Sequence, residues 1–295
     1  MNQLITMNKL LLPVLLTGLV SCGGGGGSAT DPEVPVSQSP NLFKTLVIDG
    51  YVEGANVFVD FNFNLIQDEG EPSGTFNSTT YEYEFDSTGF GAITNFTETC
   101  GLNRPRVAQV PVGAIDSTRG VVNTAYTMMY FPHDGGTPKA NVTPFTTMLT
   151  NSINDKLSTG ISVIDGCGTE ANQLAQDIQS ELNTVLSNLE RNFEIGRSWF
   201  YDDFIASEDT AQQSIGEKIV DFLGTLHAIE GLLKDIYNMG FRGVLNDEIV
   251  SLILNNTEFD SVTFEIQNET VSTQEGEHFR YNRRHNFYDL RVNSQ

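Results

Sequence analysis

The hydrophobic period of this chain changes near Asn141, and that change excludes an all-β or an all-α fold. From 46 to about 131 the pattern is strand-like. "ANVFVDF" is a β-rich run, and "TYEYEF" sets Tyr81, Tyr83 and Phe85 on one face with Thr80, Glu82 and Glu84 on the other. Turn clusters "STGFG", "GLNRP" and "HDGGTPK" separate the runs. From "NVTPFTTMLTNSINDKLSTG" onward the spacing becomes helical. Thr143 suits an N-cap, Pro144 the first helical position, and Phe145, Met148, Leu149, Ile153 and Leu157 form one stripe that Gly160 ends. Similar stripes predict helices over 170–193 and 210–237, and a shorter one capped by Asn246. Alternation returns after 260 with Val262, Phe264 and Ile266. The expected class is α+β: an antiparallel β-sandwich over 44–138, a bundle of three or four helices over 139–257, and a C-terminal β-hairpin segment over 258–295. Gly216, Gly224 and Gly231 in the third helix signal either close approach of a neighbour or a helix that breaks in two.

The first 21 residues read as a secretory signal. Lys9 precedes an apolar run over 10–20 that is too short to span a bilayer, and Leu19-Val20-Ser21-Cys22 follows. That ending resembles the lipobox of bacterial lipoproteins, which implies cleavage before Cys22 and acylation of its thiol and amine; an ordinary signal peptide is the alternative. Gly23 after the cysteine, compared with Gram-negative sorting rules, implies the outer membrane. Residues 22–43, rich in Gly, Ser and Pro, form the expected tether, with a reach of roughly 25 Å.

Net charge is −22; without Lys9, a chain starting at Cys22 carries 15 basic against 38 acidic residues, or −23. Such a surface repels nucleic acid and suits divalent cations. With Cys22 acylated, Cys100 and Cys167 remain, and an even pair in an oxidising compartment reads as a disulfide. Two buried thiols, or a catalytic Cys167 in "DGCGTE", are the alternatives.

The strongest chemical signal is "DFNFNLIQDEGEP" over 60–72. Counted from Asp60, the oxygen-bearing positions of a twelve-residue EF-hand-type loop fall on Asp60, Asn62, Asn64, the Ile66 carbonyl, Asp68 and Glu71. Ca²⁺ takes six to eight hard oxygens, and this loop carries three carboxylates and two amides. Position six, normally Gly, is Leu65, and a strand rather than a helix precedes the loop. The competing account is a solvated hairpin whose Asn and Asp residues make Asx-turns. The stretch resembles "D-x-N-x-N-G-x-x-D-x-G-E-P" loops in calcium-binding repeats of Gram-positive adhesins, departing from them at Leu65. "VIDGYVEGANVFVDFN", this loop and "VTPFTTMLT" together resemble uncharacterised proteobacterial surface lipoproteins. Those pair a prealbumin-like β-sandwich with a helical part beginning "TPLTTL". That likeness implies a fold and no catalytic residues.

Other chemistry is sparse. His133, His227, His278 and His285 lack zinc-ligand spacing, and no nucleophile elbow, P-loop or dinucleotide fingerprint occurs. Asp202-Asp203 beside Trp199, Phe200 and Tyr201 could mimic a glycosidase cleft, although such neighbours arise by chance in an acidic chain. Arg280, Arg283, Arg284 and Arg291 concentrate positive charge near the end. They either pair with the protein's own carboxylates or form a docking patch for a carboxylate-rich protein or anionic glycan. The expected role is a Ca²⁺-stabilised, membrane-anchored surface protein that binds or supports, and does not catalyse. The alternative is an envelope enzyme or enzyme accessory acting on glycans or peptides. A polar cleft of perturbed acids at the boundary between strands and helices would favour the alternative.

Overall fold

The computed structural model describes residues 42–149, 160–194 and 196–230, together with Ile153, Lys156, Leu157 and four strands between 262 and 294. Cys22 and the tether up to residue 41, the stretch 231–237 of the third predicted helix, the helix expected from Asn246, and Arg284 lie outside the described residues; Phe43, placed at the end of the tether, is instead buried in the first strand.

The fold is mixed α+β. Five strands come first: β1 (Phe43–Val47), β2 (Val52–Glu53), β3 (Asn56–Val59), β4 (Thr75–Asn77) and β5 (Glu82–Phe85). A short helix α1 (Glu98–Leu102) leads to β6 (Arg106–Val110), β7 (Ile115–Asp116), β8 (Gly120–Val121), β9 (Tyr126–Tyr130) and β10 (Lys139–Val142). Then come α2 (Pro144–Met148), α3 (Thr169–Phe193), α4 (Arg197–Tyr201) and α5 (Thr210–Glu230). The last strands are β11 (Val262–Gln267), β12 (Thr270–Ser272), β13 (Phe279–Arg283) and β14 (Asn286–Ser294). They assemble into sheets ordered β10-β1-β5-β4, β2-β7-β8, β3-β6-β9 and β12-β11-β14-β13.

Among the described residues all strand pairs but one are antiparallel. β1 and β10 run parallel, Lys44 opposite Lys139 through Val47 opposite Val142, so the first sheet is mixed where a purely antiparallel one was expected. The reason is connectivity. A hairpin can only return antiparallel, whereas β10 reaches β1 after the chain has built β6 to β9. Tyr81 also departs from its expected face. It sits in the turn before β5 with φ +60°, exposed, its ring stacked 5.3 Å from that of Tyr51. Tyr83 and Phe85 are buried as the alternation requires. Glu82 is buried too, because Lys44 at 2.7 Å and Lys139 at 3.1 Å pair with it.

The helix predicted from Pro144 is shorter than its stripe. α2 ends at Met148, although Ile153 and Leu157 are buried. Its start is over-determined by a capping box, in which Thr143 Oγ1 accepts from the Thr146 amide and Thr146 Oγ1 from the Thr143 amide. The Thr146 hydroxyl also donates to the Met129 carbonyl at 2.6 Å, and the Met129 amide donates to Thr147 Oγ1 at 3.0 Å, tying α2 to β9. α3 and α5 start within a residue of expectation and bury Ile178, Leu182, Leu186, Ile219, Phe222 and Leu223. α5 lies on β9 and α2. α5 runs unbroken through Gly216 and Gly224. A Cβ at Gly216 would sit 3.4 Å from the Phe204 ring and 3.6 Å from that of Phe145, an ordinary packing distance, and the tighter approach is at Gly224, 3.3 Å from Thr124. Buried residues of strands and helices belong to one apolar cluster, each large side chain worth about 1.5–3 kcal/mol of transfer free energy. Cys100 and Cys167 are joined by a disulfide with Cα atoms 5.8 Å apart.

Candidate functional site

Two places in the body gather buried carboxylates. The first is the loop leaving β3. Its geometry follows from amide and carboxylate side chains bonding to the backbone just ahead of them. Asp60 Oδ1 accepts from the Asn62 amide at 3.2 Å and Oδ2 from the Leu65 amide at 2.8 Å. Asn62 Oδ1 accepts from the Asn64 amide at 3.2 Å, and Asn64 Oδ1 from the Ile66 amide at 2.7 Å. Glu71 closes the bend, accepting from the Phe61 amide at 2.7 Å and the Asp68 amide at 3.1 Å. Asp68 Oδ2 accepts from the side-chain amides of Asn62 and Asn64 at 2.7 and 2.6 Å. Thus the six sequence-identified positions share one compact loop.

Leu65 has φ +64°, the left-handed conformation for which position six ordinarily uses glycine. Phe63 has φ +61°. Each costs about 1–2 kcal/mol in a non-glycine residue, and burial of both side chains offsets that cost. Behind the loop, the buried Arg104 guanidinium lies 5.3 Å from the Phe63 ring and donates through Nε to the Gly166 carbonyl at 2.8 Å. A Cβ on Gly166 would come 2.5 Å from that of Phe61, so the disulfide at Cys167 holds the preceding residue directly against the loop.

Asp60 and Glu71 are both buried. Burial pushes the Asp60 carboxyl upward against the lowering effect of its backbone donors, and pushes Glu71 upward with the Asp60 charge adding to it. No Lys, Arg or His among the described residues forms an ion pair with Asp60, Asp68 or Glu71. Nor do three His, Cys, Asp or Glu side chains among the described residues converge as metal ligands. The oxygens of the loop are instead engaged in its own hydrogen bonds.

The second place is a cleft of about 520 Å³ between the β-layer and α5. Its residues come from three distant segments. Asp49 occupies the turn after β1. Asp116 ends β7, and a three-residue loop ending in Arg119 returns the chain into β8, which starts at Gly120 with φ +83°. Tyr126 opens β9, while Val220, Asp221 and Gly224 come from α5. Asp116 is saturated: Oδ1 accepts from the Thr118 amide and hydroxyl and the Arg119 amide, and Oδ2 from the Gly50 amide at 2.8 Å. A Cβ at Gly50 would meet Asp116 Oδ1 at 2.5 Å, so glycine is required for that closure. Arg119 donates to Asp49 Oδ2 at 3.3 Å and to Asp221. Asp49 Oδ1 and the Tyr126 hydroxyl, each on a residue no more than 3% exposed, have no hydrogen-bond partner among the described residues. Burial raises Asp49 to about 7, with Asp116 adding to the rise and Arg119 opposing it.

Sequence reasoning missed this cleft. The available signals were two Asp-containing turns, "VIDGY" and "AIDSTRG", which say nothing of each other when read singly. The other acids considered were Asp202 and Asp203, of which Asp203 is engaged by neighbours in the fold. Asp203 accepts from the Tyr51 hydroxyl at 3.0 Å and from the Ala206 amide at 2.9 Å, and Trp199 packs 4.2 Å from Phe145. His133 stacks 4.2 Å from Tyr201. Of the arginine cluster, Arg280 and Arg283 lie on β13 and Arg291 on β14, with Arg280 opposite Asp289 and Arg291 opposite Glu265 in register. No helix among the described residues is long and apolar enough to cross a membrane. Comparison with protein-family models, with curated proteins and with solved structures found no match.

Proposed function

We propose that this chain is a bacterial envelope lipoprotein, anchored through Cys22 in the outer membrane, whose β-domain is held by Ca²⁺ in the Asp60–Glu71 loop and which acts as a surface binding or structural protein. One observation carries the calcium part: two buried carboxylates, Asp60 and Glu71, share a loop with no ion-pair partner among the described residues. Buried charge is neutralised by a proton or by a cation, and the left-handed turn at Leu65 supplies the bend that a twelve-residue oxygen loop needs. Rotation of the Asn62 and Asn64 amides, now donating to Asp68, would present their oxygens with Asp60, Asp68, Glu71 and the Ile66 carbonyl. Affinity in the range of extracellular modules, about 10⁻⁴ to 10⁻³ M, is expected. The finer architecture that goes with this reading is a sandwich of the β1 and β3 sheets covered by a helical bundle. Arg280, Arg283, Arg284 and Arg291 would then meet an anionic glycan or protein ligand.

Thermal melts with and without Ca²⁺ test the loop. Binding to the folded state adds about 2.7 kcal/mol at a hundredfold excess over Kd. Asp60→Ala and Glu71→Ala are expected to abolish that gain, and an unchanged wild-type midpoint in excess calcium defeats the proposal. The anchor is tested separately, by palmitate labelling of the full chain in a Gram-negative host and its loss in Cys22→Ala.

A second reading, an enzyme or accessory acting on glycans or peptides, is favoured by the cleft, where Asp49 titrates at about 7. It requires hydrolysis of a glycan or peptide substrate that Asp49→Asn eliminates; binding without turnover would exclude it.

A further inference from the structure

We infer that the cleft between the β-layer and α5 is a binding site for a small organic cation, a primary ammonium group on a short apolar stem. Charge comes first. Asp49, Asp116 and Asp221 line the cleft and Glu217 adds its field to Asp49, against the single cation Arg119. Arg119 is committed to Asp49 and Asp221, so it is not available to an anionic ligand. An excess of negative charge in a walled recess concentrates cations.

Hydrogen-bonding capacity then narrows the class. Asp116 has no acceptor to spare. Among the lining residues, the buried polar atoms with no hydrogen-bond partner among the described residues are Asp49 Oδ1 and the Tyr126 hydroxyl. A buried acceptor left unmade costs about 1–3 kcal/mol, which a ligand donor recovers. Two such acceptors suit an ammonium with three N–H donors. They do not suit a hard dication, which needs six or more oxygens. The walls complete the description. Val121, Val122 and Val220 give the cleft an apolar side, with Val121 exposed, and Gly224 keeps α5 close to Thr124. The volume lies within the range of small-molecule sites.

None of the calcium-loop residues lines this cleft, so the inference stands or fails apart from that proposal. The experiment is calorimetric titration of the full chain with n-butylammonium above about pH 7, where Asp49 is ionised. Two controls are n-butanol, which has the stem without the charge, and tetramethylammonium, which has the charge without a donor. Saturable binding of n-butylammonium and none of either control is expected. Asp49→Asn should weaken binding at least about tenfold and Tyr126→Phe several-fold. The exposed Asp221→Asn is a variant with little bearing on folding, and it should weaken binding about two- to fivefold through lost charge alone. No binding of n-butylammonium to a folded wild-type chain overturns the inference. Equal binding of tetramethylammonium, or full affinity in folded Asp221→Asn together with folded Tyr126→Phe, does so as well.

Discussion

The loop over 60–71 and the cleft at Asp49 both bury carboxylates, and they satisfy them in opposite ways. In the loop every carboxylate oxygen of Asp60 and Glu71 meets a backbone amide no more than ten residues away. In the cleft, Asp49 relies on Arg119, seventy positions along the chain, and keeps one oxygen without a donor among the described residues. The loop is therefore self-contained, and calcium would replace bonds that it already makes to itself. The cleft is incomplete as the chain folds, and that incompleteness points to a ligand. A buried acid already saturated by its neighbours is a structural device.

The comparison breaks most easily at the disulfide. Cys100 and Cys167 close a loop of sequence separation 67, worth about 4 kcal/mol in the chain-entropy model, and their bridge braces the 60–71 loop through Gly166 and Phe61 but lies away from the cleft. The double substitution Cys100→Ala, Cys167→Ala is expected to lower stability by about that amount in urea unfolding. Below the transition it should leave n-butylammonium binding unchanged. Loss of cleft affinity in the folded variant would show that the two regions are not independent.

Asp49 sharpens the contrast through pH. Its folded value is raised to about 7 from an ordinary 3.8, so the folded state holds the proton more tightly than the unfolded chain. The resulting stability is complete below about pH 4 and is lost as pH rises through 7, a decline of about 3–4 kcal/mol at 1.36 kcal/mol per pH unit of separation. Asp49→Asn removes a group that must ionise in the interior. Its stability relative to wild type is expected to improve by about that much from pH 4 to pH 8, measured as paired urea midpoints. Parallel curves for the two proteins would mean that Asp49 ionises without penalty, and would remove the electrostatic basis of the cleft.

Leu65 gives the smallest effect. Leu65→Gly relieves a left-handed leucine, worth about 1–2 kcal/mol, and loses the burial of a leucine side chain, worth about 1.5–3 kcal/mol. A net loss of about 1 kcal/mol without calcium is expected, with the calcium-induced shift retained. A large gain in stability would show that the leucine contributes strain and little packing.

Much of the loop was legible before any coordinates, because its bonds join residues two to ten positions apart and each Asx-turn is written in the residues that form it. The one feature that seemed to argue against it, Leu65 at position six, could not be judged from sequence. Whether a left-handed leucine is tolerated depends on whether its side chain is buried, and that is set by packing of the whole core. The same division runs through the fold. The period of α3 gave its limits almost to the residue, since the stripe Leu174, Ile178, Leu182 and Leu186 reports one face of one helix. The stripe after Pro144 overstated α2, because burial of Ile153 and Leu157 is compatible with more than one backbone path.

By itself, then, the sequence determined the α+β class, the acidic balance, the oxygen-rich bend and the limits of the longest helix, all of which depend on neighbours in the chain. Only the tertiary structure decided that β10 runs parallel to β1, that Gly216 packs against Phe204 and Phe145, and that Asp49, Arg119 and Asp221 meet. The physical reason is that short-range hydrogen bonds and hydrophobic period are set by adjacent residues. Contacts across tens of positions are selected by how all the buried faces fit at once.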